Sequence, residues 1–362
     1  MTQKIDAYTH LSPPGFLDFL EGLSGSPHVF RKLFANTPTL VDTDQRLRQM
    51  DKYGIDSNVV VPLPWIEGIR GVYDDPALSV KAARLCNDGL RMVTLAHPGR
   101  FHGVALLPSA AGPQQMVSEL ERSVEELGLA GGVLFFGPTV KPPDHPDYEP
   151  LYQKAEQLDV PLWLHPCRPG SHADYPEEKF SKYLIWQTLG WVTDSSVAMA
   201  RLVFSGVFQR YPDLKLITHH HGALIPTFAK RMQACYESFE ECSGIDLQTP
   251  IEQPYIDHFK KFYCDTASLG FEPATIQLAC DFFGVERVLF GSDSPMDSRS
   301  GEIFTPETDR TVAALKLTKA ERQSIYGGNM LQLLSRGRKK KQKKAAARTA
   351  PQRPVRRAAG RR

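Results

Sequence analysis

Long apolar runs are missing from this sequence, and none approaches the roughly 20 residues that a membrane-spanning helix needs. A signal peptide is not expected either, because the first apolar segment begins at Ile5 and carries polar residues throughout. The six cysteines show no C-x-x-C spacing. They are therefore predicted to be reduced thiols of a cytoplasmic protein rather than a disulfide framework or a metal-binding motif.

Acidic residues are missing from the segment 336–362, which carries 13 Lys and Arg. The rest of the chain holds 30 basic and 41 acidic residues, a net charge of −11. A segment this rich in like charge and this poor in large apolar residues is predicted to be a disordered tail. We therefore expect one domain over 1–335 and a basic tail over 336–362. Since the domain is acidic, nucleic acid is not an expected partner.

Short apolar runs alternate along the chain with amphipathic helical patterns. The runs cover residues 4–10, 57–64, 101–108, 131–137, 161–167, 215–222, 262–268 and 287–295. Alternating strands and helices indicate an α/β fold with a parallel sheet. Eight such units favour a (β/α)8 TIM barrel. The G-x-G-x-x-G pattern follows none of these runs, so a dinucleotide-binding open sheet is not favoured.

Polar residues of the metal-ligand type fall at the C-terminal ends of four predicted strands. They are Tyr8 and His10 on the first strand, His165 on the fifth, His220 on the sixth and Asp293 on the eighth. In a barrel the C-terminal ends of the strands converge on one rim, where active sites lie. Nitrogen and oxygen donors gathered there indicate a metal site with open positions for substrate.

These motifs resemble the amidohydrolase superfamily, in the branch that includes aminocarboxymuconate-semialdehyde decarboxylase. KIDAYTH is similar to the family's first-strand pattern I-D-x-H-x-H, and LHP to its fifth-strand histidine. RYPDLKLITHHHG resembles its sixth strand with H-x-G, and RVLFGSDSP its eighth-strand aspartate. The resemblance covers nearly all of residues 4–335 and implies a metal centre at the C-terminal ends of the barrel strands.

By position, the resemblance implies the metal ligands Tyr8, His10, His165, His220 and Asp293. It implies that His219 points away into the helix layer. His221 is a candidate further ligand or proton shuttle, and Asp265 is expected to be structural. Trp65 and Glu67, just past the second strand, are candidate pocket residues.

Tyr8 stands where the family pattern has a histidine, and two interpretations follow. A neutral phenol, with a pKa near 10, is a poor ligand and would mark a weakened site. An ionised phenol is a hard anionic donor that suits ferric iron better than zinc. Because the other four ligands are in place, the second interpretation is favoured here.

The Tyr-x-His variant is also similar to a group of non-haem diiron enzymes of this superfamily, including the thioesterase of platensimycin and platencin biosynthesis. That resemblance implies a hydrolase that attacks an acyl-coenzyme A thioester with a metal-bound hydroxide, while Asp293 handles the proton. The fourth strand, GGVLFFG, lacks the lysine or glutamate that bridges two ions in dinuclear relatives. Because an ionised Tyr8 suits ferric iron, we expect Fe3+ as the metal. The missing bridging residue leaves the number of ions open, at one or two.

Two other functions stay open. A zinc or manganese decarboxylase of an aromatic or dienoic acid would need a basic residue to hold the carboxylate, and Arg70 and Arg168 are the candidates. A metal-free barrel with a binding role is the second alternative. The expected partner is a small-molecule substrate, an acyl-coenzyme A thioester in the leading interpretation. The barrel is expected to form a homodimer.

Overall fold

The computed structural model shows parallel strands that alternate with helices. It describes residues 3–23, 32, 34–63, 74–244, 246–267 and 272–335. The strands are β1 (Ile5–His10), β2 (Ser57–Val61), β3 (Phe101–Gly103), β4 (Ala105–Leu106), β5 (Gly132–Phe136), β6 (Leu162–Pro166), β7 (Leu216–Thr218), β8 (Tyr263–Asp265) and β9 (Val288–Leu289). Each of the eight predicted runs therefore contains a strand.

The strands close into a barrel. β1 to β3 form one parallel sheet, and β4 to β9 form another in sequence order. β3 and β4 are two parts of one barrel strand, interrupted at Val104, whose N–H still bonds to β2. The last segment pairs with the first strand, since Ala7 donates to the carbonyl of Phe290 (2.7 Å) and Asp293 to that of Tyr8 (2.9 Å). The predicted (β/α)8 barrel is confirmed.

Helices surround the barrel. They are α1 (Phe16–Glu21), α2 (Thr43–Lys52), α3 (Pro76–Ala96), α4 (Pro113–Glu125), α5 (Glu149–Leu158), α6 (Trp191–Phe204), α7 (Val207–Arg210), α8 (Ile225–Ser243), α9 (Tyr255–Phe259), α10 (Pro273–Phe283), α11 (Phe304–Ala313) and α12 (Lys319–Gln323). Local sequence sets several starts: Asp42 and Asp75 accept backbone N–H groups at the starts of α2 and α3. Thr318 and Glu321 form a capping box at α12.

Two buried polar side chains, one from β6 and one from α2, donate hydrogen bonds to carbonyls of β1. The indole of Trp163 on β6 donates to the carbonyl of Ala7 (3.1 Å). The guanidinium of Arg46 on α2 donates to the carbonyls of His10 (2.7 Å) and Thr39 (3.1 Å). Burial lowers the pKa of Arg46 to about 10, so it stays charged at neutral pH and needs these acceptors. The C-terminal end of β1 is thereby held in a fixed position.

The structure tests some of the predictions about membrane helices, cysteines, location and domain boundaries and leaves others untested. Among the described residues, none of the helices combines the length and hydropathy of a membrane-spanning segment. All six cysteines lie in the described part of the chain, and each is a free thiol. The cytoplasmic location stays a prediction. So do the domain boundary at 335 and the basic tail, because 336–362 lies outside the described residues.

Two adjacent glycines lie in the helical turn after α12, which packs against the backbone just before β1. Substituting each of them tests this packing. A Cβ at Gly327 would collide with the carbonyl oxygen of Gln3, whereas at Gly328 the nearest heavy atom is 3.6 Å away. We expect Gly327→Ala to lower the free energy of unfolding by about 1–3 kcal/mol. We expect Gly328→Ala to be neutral or to stabilise by up to about 1 kcal/mol. Urea unfolding of both variants measures this, and equal effects would contradict the packing.

Candidate metal centre

Three histidines from three strands face one another at the C-terminal rim. His10 ends β1 on its inner face. The register of β6 and β7 pairs Trp163 with Ile217, so two residues farther along His165 stands opposite His219. The ring centroids of His10 and His165 are 5.4 Å apart, and so are those of His165 and His219. All three side chains are buried.

The prediction that His219 points into the helix layer is wrong. β7 ends at Thr218, but His219 keeps extended dihedral angles (φ −89°, ψ 164°) and continues the alternation of the strand inward. The chain then turns through positive φ angles at His220 (56°) and His221 (47°). This turn sets the ring of His220 3.8 Å from that of His219. Such a backbone is costly for non-glycine residues, and strain of this kind concentrates at functional sites.

Backbone carbonyls fix the tautomers of His10 and His165. Nδ1 of His10 lies 2.8 Å from the carbonyl oxygen of Val61, and Nδ1 of His165 lies 2.6 Å from that of Pro166. A carbonyl can only accept, so each Nδ1 carries the proton. In the neutral form of each ring the lone pair is then on Nε2, as in histidines that bind metals.

His219 has a different partner. Its Nδ1 bonds to the carboxylate of Asp265, which ends β8 and is fully buried. Burial by itself lowers the pKa of His219, but Asp265 and Asp293 outweigh it and raise the pKa to about 9. Asp265 also accepts the backbone N–H groups of His221 (3.3 Å) and Ala267 (3.0 Å). The expected structural role is thus present, and contact with a site histidine is added to it.

Asp293 is held beside two of these histidines. It follows β9 with a positive φ of 61°, and its Oδ1 lies 3.0 Å from Nε2 of His10 and 3.5 Å from Nε2 of His219. Burial raises the pKa of Asp293, but hydrogen bonds with His10 and His219 hold it well below its usual range. The carboxylate is therefore ionised.

His165 and His220 are neutral at physiological pH. Burial lowers the pKa of both rings well below the usual range, and His219 adds to the effect. Nδ1 of His220 is buried and has no hydrogen-bond partner among the described residues. An unpaired buried donor or acceptor is costly, so this atom is available to a ligand.

Two overlapping groups of donors are close enough to share an ion. One is His10, His165 and His219, the other His219, His220 and Asp293, and within each group the ligand atoms lie within 4.8 Å of one another. The Nε2 lone pair of His10 faces a carboxylate oxygen of Asp293 at 3.0 Å, which requires a proton or a metal ion between them. Imidazole and carboxylate donors suit a divalent transition metal. The residues fit a metal site.

Tyr8 lies under this cluster. Its ring stacks on His219, with centroids 3.8 Å apart and an interplanar angle of 11°. Its hydroxyl donates to the carbonyl of Leu164 (3.0 Å). Burial raises the pKa of Tyr8 well above its usual value, and the charges of Asp265 and Asp293 raise it further. To bind an ion, the phenol would have to lose its proton and leave Leu164. Its role as a ligand stays a prediction.

Aromatic side chains line one side of the cluster. The rings of Phe135 and Trp191 each lie 5.8 Å from that of His165. Trp186, from the long segment after β6, packs edge-on against Trp191 at 5.4 Å. The indole of Trp191 donates to the carbonyl of Arg168 (3.0 Å). The segment after β6 therefore supplies part of the wall of the site.

The other suggested pocket residues contribute less. Trp65, Glu67 and Arg70 lie outside the described residues. Nε and Nη2 of Arg168 donate to the two carboxylate oxygens of Asp194, at 2.9 and 2.7 Å. Because this bidentate pair uses the edge of the guanidinium suited to a carboxylate, Arg168 does not offer that edge to a substrate in this conformation.

Comparison with known proteins identifies the family. A sequence model described as amidohydrolase matches residues 5–336. The chain belongs to the amidohydrolase family. The gamma-resorcylate decarboxylase of Rhizobium radiobacter is 28% identical over 292 residues, which cover 78% of this chain and 86% of that protein.

Solved structures of amidohydrolase relatives agree in fold. A 2,6-dihydroxybenzoate decarboxylase in complex with 2,6-dihydroxybenzoate has a TM-score of 0.74 at 26% identity, and covers 92% of this chain and 100% of that one. The dihydroxybenzoic acid decarboxylase of Polaromonas sp. JS666, with bound manganese and the inhibitor 2-nitroresorcinol, has a TM-score of 0.73 at 26% identity. That match covers 92% of this chain and 97% of that one.

These findings correct the leading functional expectation. The superfamily resemblance is confirmed, and an enzyme of this family is supported. The prediction of a hydrolase acting on acyl-coenzyme A thioesters is wrong, because relatives that match most of the chain are decarboxylases of aromatic acids. That prediction depended on Tyr8 as an ionised ligand. Nothing in the comparisons supports iron, whereas a relative holds manganese.

The state of Tyr8 can be measured directly. We expect Tyr8→Phe to keep the metal content of the wild type and to lose about 1–2 kcal/mol of stability, since it removes the buried hydrogen bond from Tyr8 to the carbonyl of Leu164. Tyr152→Phe is the matched control, because Tyr152 is a buried tyrosine that donates to the carbonyl of Pro143. Metal analysis, unfolding and visible absorption are the measurements. A charge-transfer band that only Tyr8→Phe abolishes would instead establish tyrosinate on ferric iron.

Proposed function

We propose that this protein is a metal-dependent, non-oxidative decarboxylase of an aromatic acid. The observation that carries the proposal is the difference between the Nδ1 partners of the three histidines. His10 and His165 donate from Nδ1 to carbonyls, which orients Nε2 of each ring as a metal ligand. His219 is held by the carboxylate of Asp265, which favours a protonated ring. The site thus combines ligands for an ion with a proton donor beside them.

The reaction requires a proton at the ring carbon that bears the carboxylate. Once the proton has added, the bond to the carboxylate breaks, its electron pair restores the aromatic ring, and carbon dioxide leaves. We assign the proton to Nε2 of His219, and Asp265 stabilises the imidazolium before transfer. Asp293, 3.5 Å from that nitrogen, orients it. A divalent ion held by these residues would supply positive charge for the anionic substrate.

The aromatic wall supports the substrate class. Phe135 and Trp191 flank His165, so a flat ring that enters the site would stack among them. One relative of similar fold binds 2,6-dihydroxybenzoate, and another binds the inhibitor 2-nitroresorcinol. We propose a substrate of that kind, and we do not assign its carboxylate to Arg168, whose guanidinium is paired with Asp194.

We propose His10 and His165, from one donor group, and Asp293, from the other, as the ligands of this ion, with manganese favoured and zinc as the alternative. His220 remains a candidate for a further position, because its buried Nδ1 is unpaired. Tyr8 remains a candidate only if it is released from Leu164. A transition metal with open positions is common to all of these sets.

The proton donor is tested by His219→Asn, with Asp265→Asn beside it. We expect His219→Asn to lower kcat about 10²–10⁴-fold while the bound metal stays, since the loss is that of a general acid. We expect Asp265→Asn to cost about 10–100-fold, because it removes the partner of His219. Formation of resorcinol and carbon dioxide from 2,6-dihydroxybenzoate is the assay. The control is His145→Asn, because His145 is partly exposed and belongs to neither donor group. Full activity in His219→Asn would contradict this role.

The metal is tested by its removal. A chelator is expected to abolish carbon dioxide release from the wild type, and added manganese to restore it. His165→Ala is expected to lose both metal and activity, and manganese at the same concentration should not restore them. Elemental analysis reports the metal independently of activity. A manganese-loaded wild type that releases no carbon dioxide from any of a panel of hydroxybenzoates would refute the proposed function.

A further inference from the structure

One buried carboxylate on β1 stands outside both groups of metal donors. Asp6 lies two residues before Tyr8 and is 1% exposed. Among the described residues it forms no ion pair. A buried carboxylate without a paired cation is costly to the fold unless hydrogen bonds satisfy its oxygens. The groups that bind Asp6 therefore show what this side chain does.

The oxygens of Asp6 bind the segment that carries Asp293. Oδ1 accepts the backbone N–H of Ser292 (3.0 Å), and Oδ2 accepts the hydroxyl of Ser292 (2.5 Å). The hydroxyl oxygen of Ser292 in turn accepts the backbone N–H of Ser294 (3.1 Å). A longer bond reaches Oδ1 from the N–H of Tyr8 (3.4 Å). Asp6 thus holds the residues on both sides of Asp293, one directly and the other through a hydroxyl.

The backbone at Asp293 depends on such support. Its φ of 61° lies in the left-handed region, which is unfavourable for a residue other than glycine unless its surroundings fix it. Strand β9 has already ended at Leu289. Backbone bonds to β1 fix where the segment lies, and the Ser292 hydroxyl spans the turn from the Asp6 carboxylate to the N–H of Ser294. This link bears on the direction in which the Asp293 side chain leaves the backbone.

We propose that Asp6 and Ser292 are positioning residues that set the carboxylate of Asp293 for metal binding. The inference rests on the proposed function, in which Asp293 is a ligand of the ion. Oδ1 of Asp293 lies 3.0 Å from Nε2 of His10, so a changed turn would move this oxygen relative to the other donors. Groups that orient a metal ligand contribute about 10–100-fold to metal affinity. Ser292 acts on the ion through Asp293, without binding it.

Manganese affinity tests this role in the full-length protein without substrate. After treatment with a chelator, manganese is titrated into the wild type, Ser292→Ala and Ser123→Ala, and free manganese is measured by electron paramagnetic resonance. We expect Ser292→Ala to raise the Kd about 10–100-fold. Ser123→Ala is the matched control, because Ser123 is also fully buried and its hydroxyl donates to the carboxylate of Glu119 on α4 (3.4 Å). Its Kd should equal that of the wild type, although thermal unfolding should show a similar loss of stability in both variants.

Variants of Asp6 test the carboxylate itself. Asp6→Asn keeps one oxygen acceptor and places an amide beside the Ser292 hydroxyl, so its Kd should rise less than that of Asp6→Ala. The comparison of Ser292→Ala with Ser123→Ala stands even if Asp6→Ala does not fold. A wild-type Kd in Ser292→Ala overturns the inference, and so do equal increases in Ser292→Ala and Ser123→Ala.

The failure of this inference is distinct from the failure of the proposed function. If the Kd of Ser292→Ala is unchanged while the wild type releases carbon dioxide from a hydroxybenzoate, only the positioning role is refuted. If the wild type binds manganese and Ser292→Ala binds it more weakly, but neither decarboxylates any hydroxybenzoate, only the reaction is refuted. A wild type that binds neither manganese nor zinc overturns both.

Discussion

The parallel pairing between β1 and the segment after β9 decides where the chemistry can occur. Asp293 donates its backbone N–H to Tyr8, and His10 donates its own to Ser294 (2.8 Å). These bonds close the barrel and, by the same geometry, bring the carboxylate of Asp293 to 3.0 Å from the His10 ring. Residues almost three hundred positions apart are joined by backbone hydrogen bonds, which do not depend on their side chains. The site is therefore a consequence of closure.

Backbone atoms also decide what each histidine can do. Val61 and Pro166 offer carbonyl oxygens at the strand ends, and these acceptors hold the Nδ1 protons of His10 and His165, so that Nε2 of each ring is directed inward. Asp265 stands in the corresponding place for His219 and makes that ring basic. Three identical side chains thus acquire different chemistry from the group that accepts a hydrogen bond from Nδ1 of each ring. The difference matters more for the proposed reaction than the number of histidines does.

Tyr8 shows how a single substitution in a motif can mislead. In the sequence it suggests an anionic ligand and, through that, iron and a thioester. In the structure its ring packs flat on His219, and its hydroxyl bonds to Leu164 across the barrel. A phenol with these contacts is held as a neutral group, and its role as a metal ligand stays a prediction. A tyrosine at this position is unusual for the family pattern, but the residues around Tyr8 determine the chemistry of its phenol.

The sequence by itself determined that the fold is a barrel and that polar residues gather at the C-terminal ends of its strands. Strand and helix periods are local properties, and the positions of His10, His165 and Asp293 at strand ends follow from them. Asp265 ends a strand in the same way, so the same rule applied to β8 would have placed it at the site. The orientation of the His219 side chain could not be predicted from the local sequence, because it depends on the register of β7 against β6 and on the turn after Thr218. Only the tertiary structure decided which histidine faces inward and which partner sets its charge, since both depend on atoms that are distant in the chain.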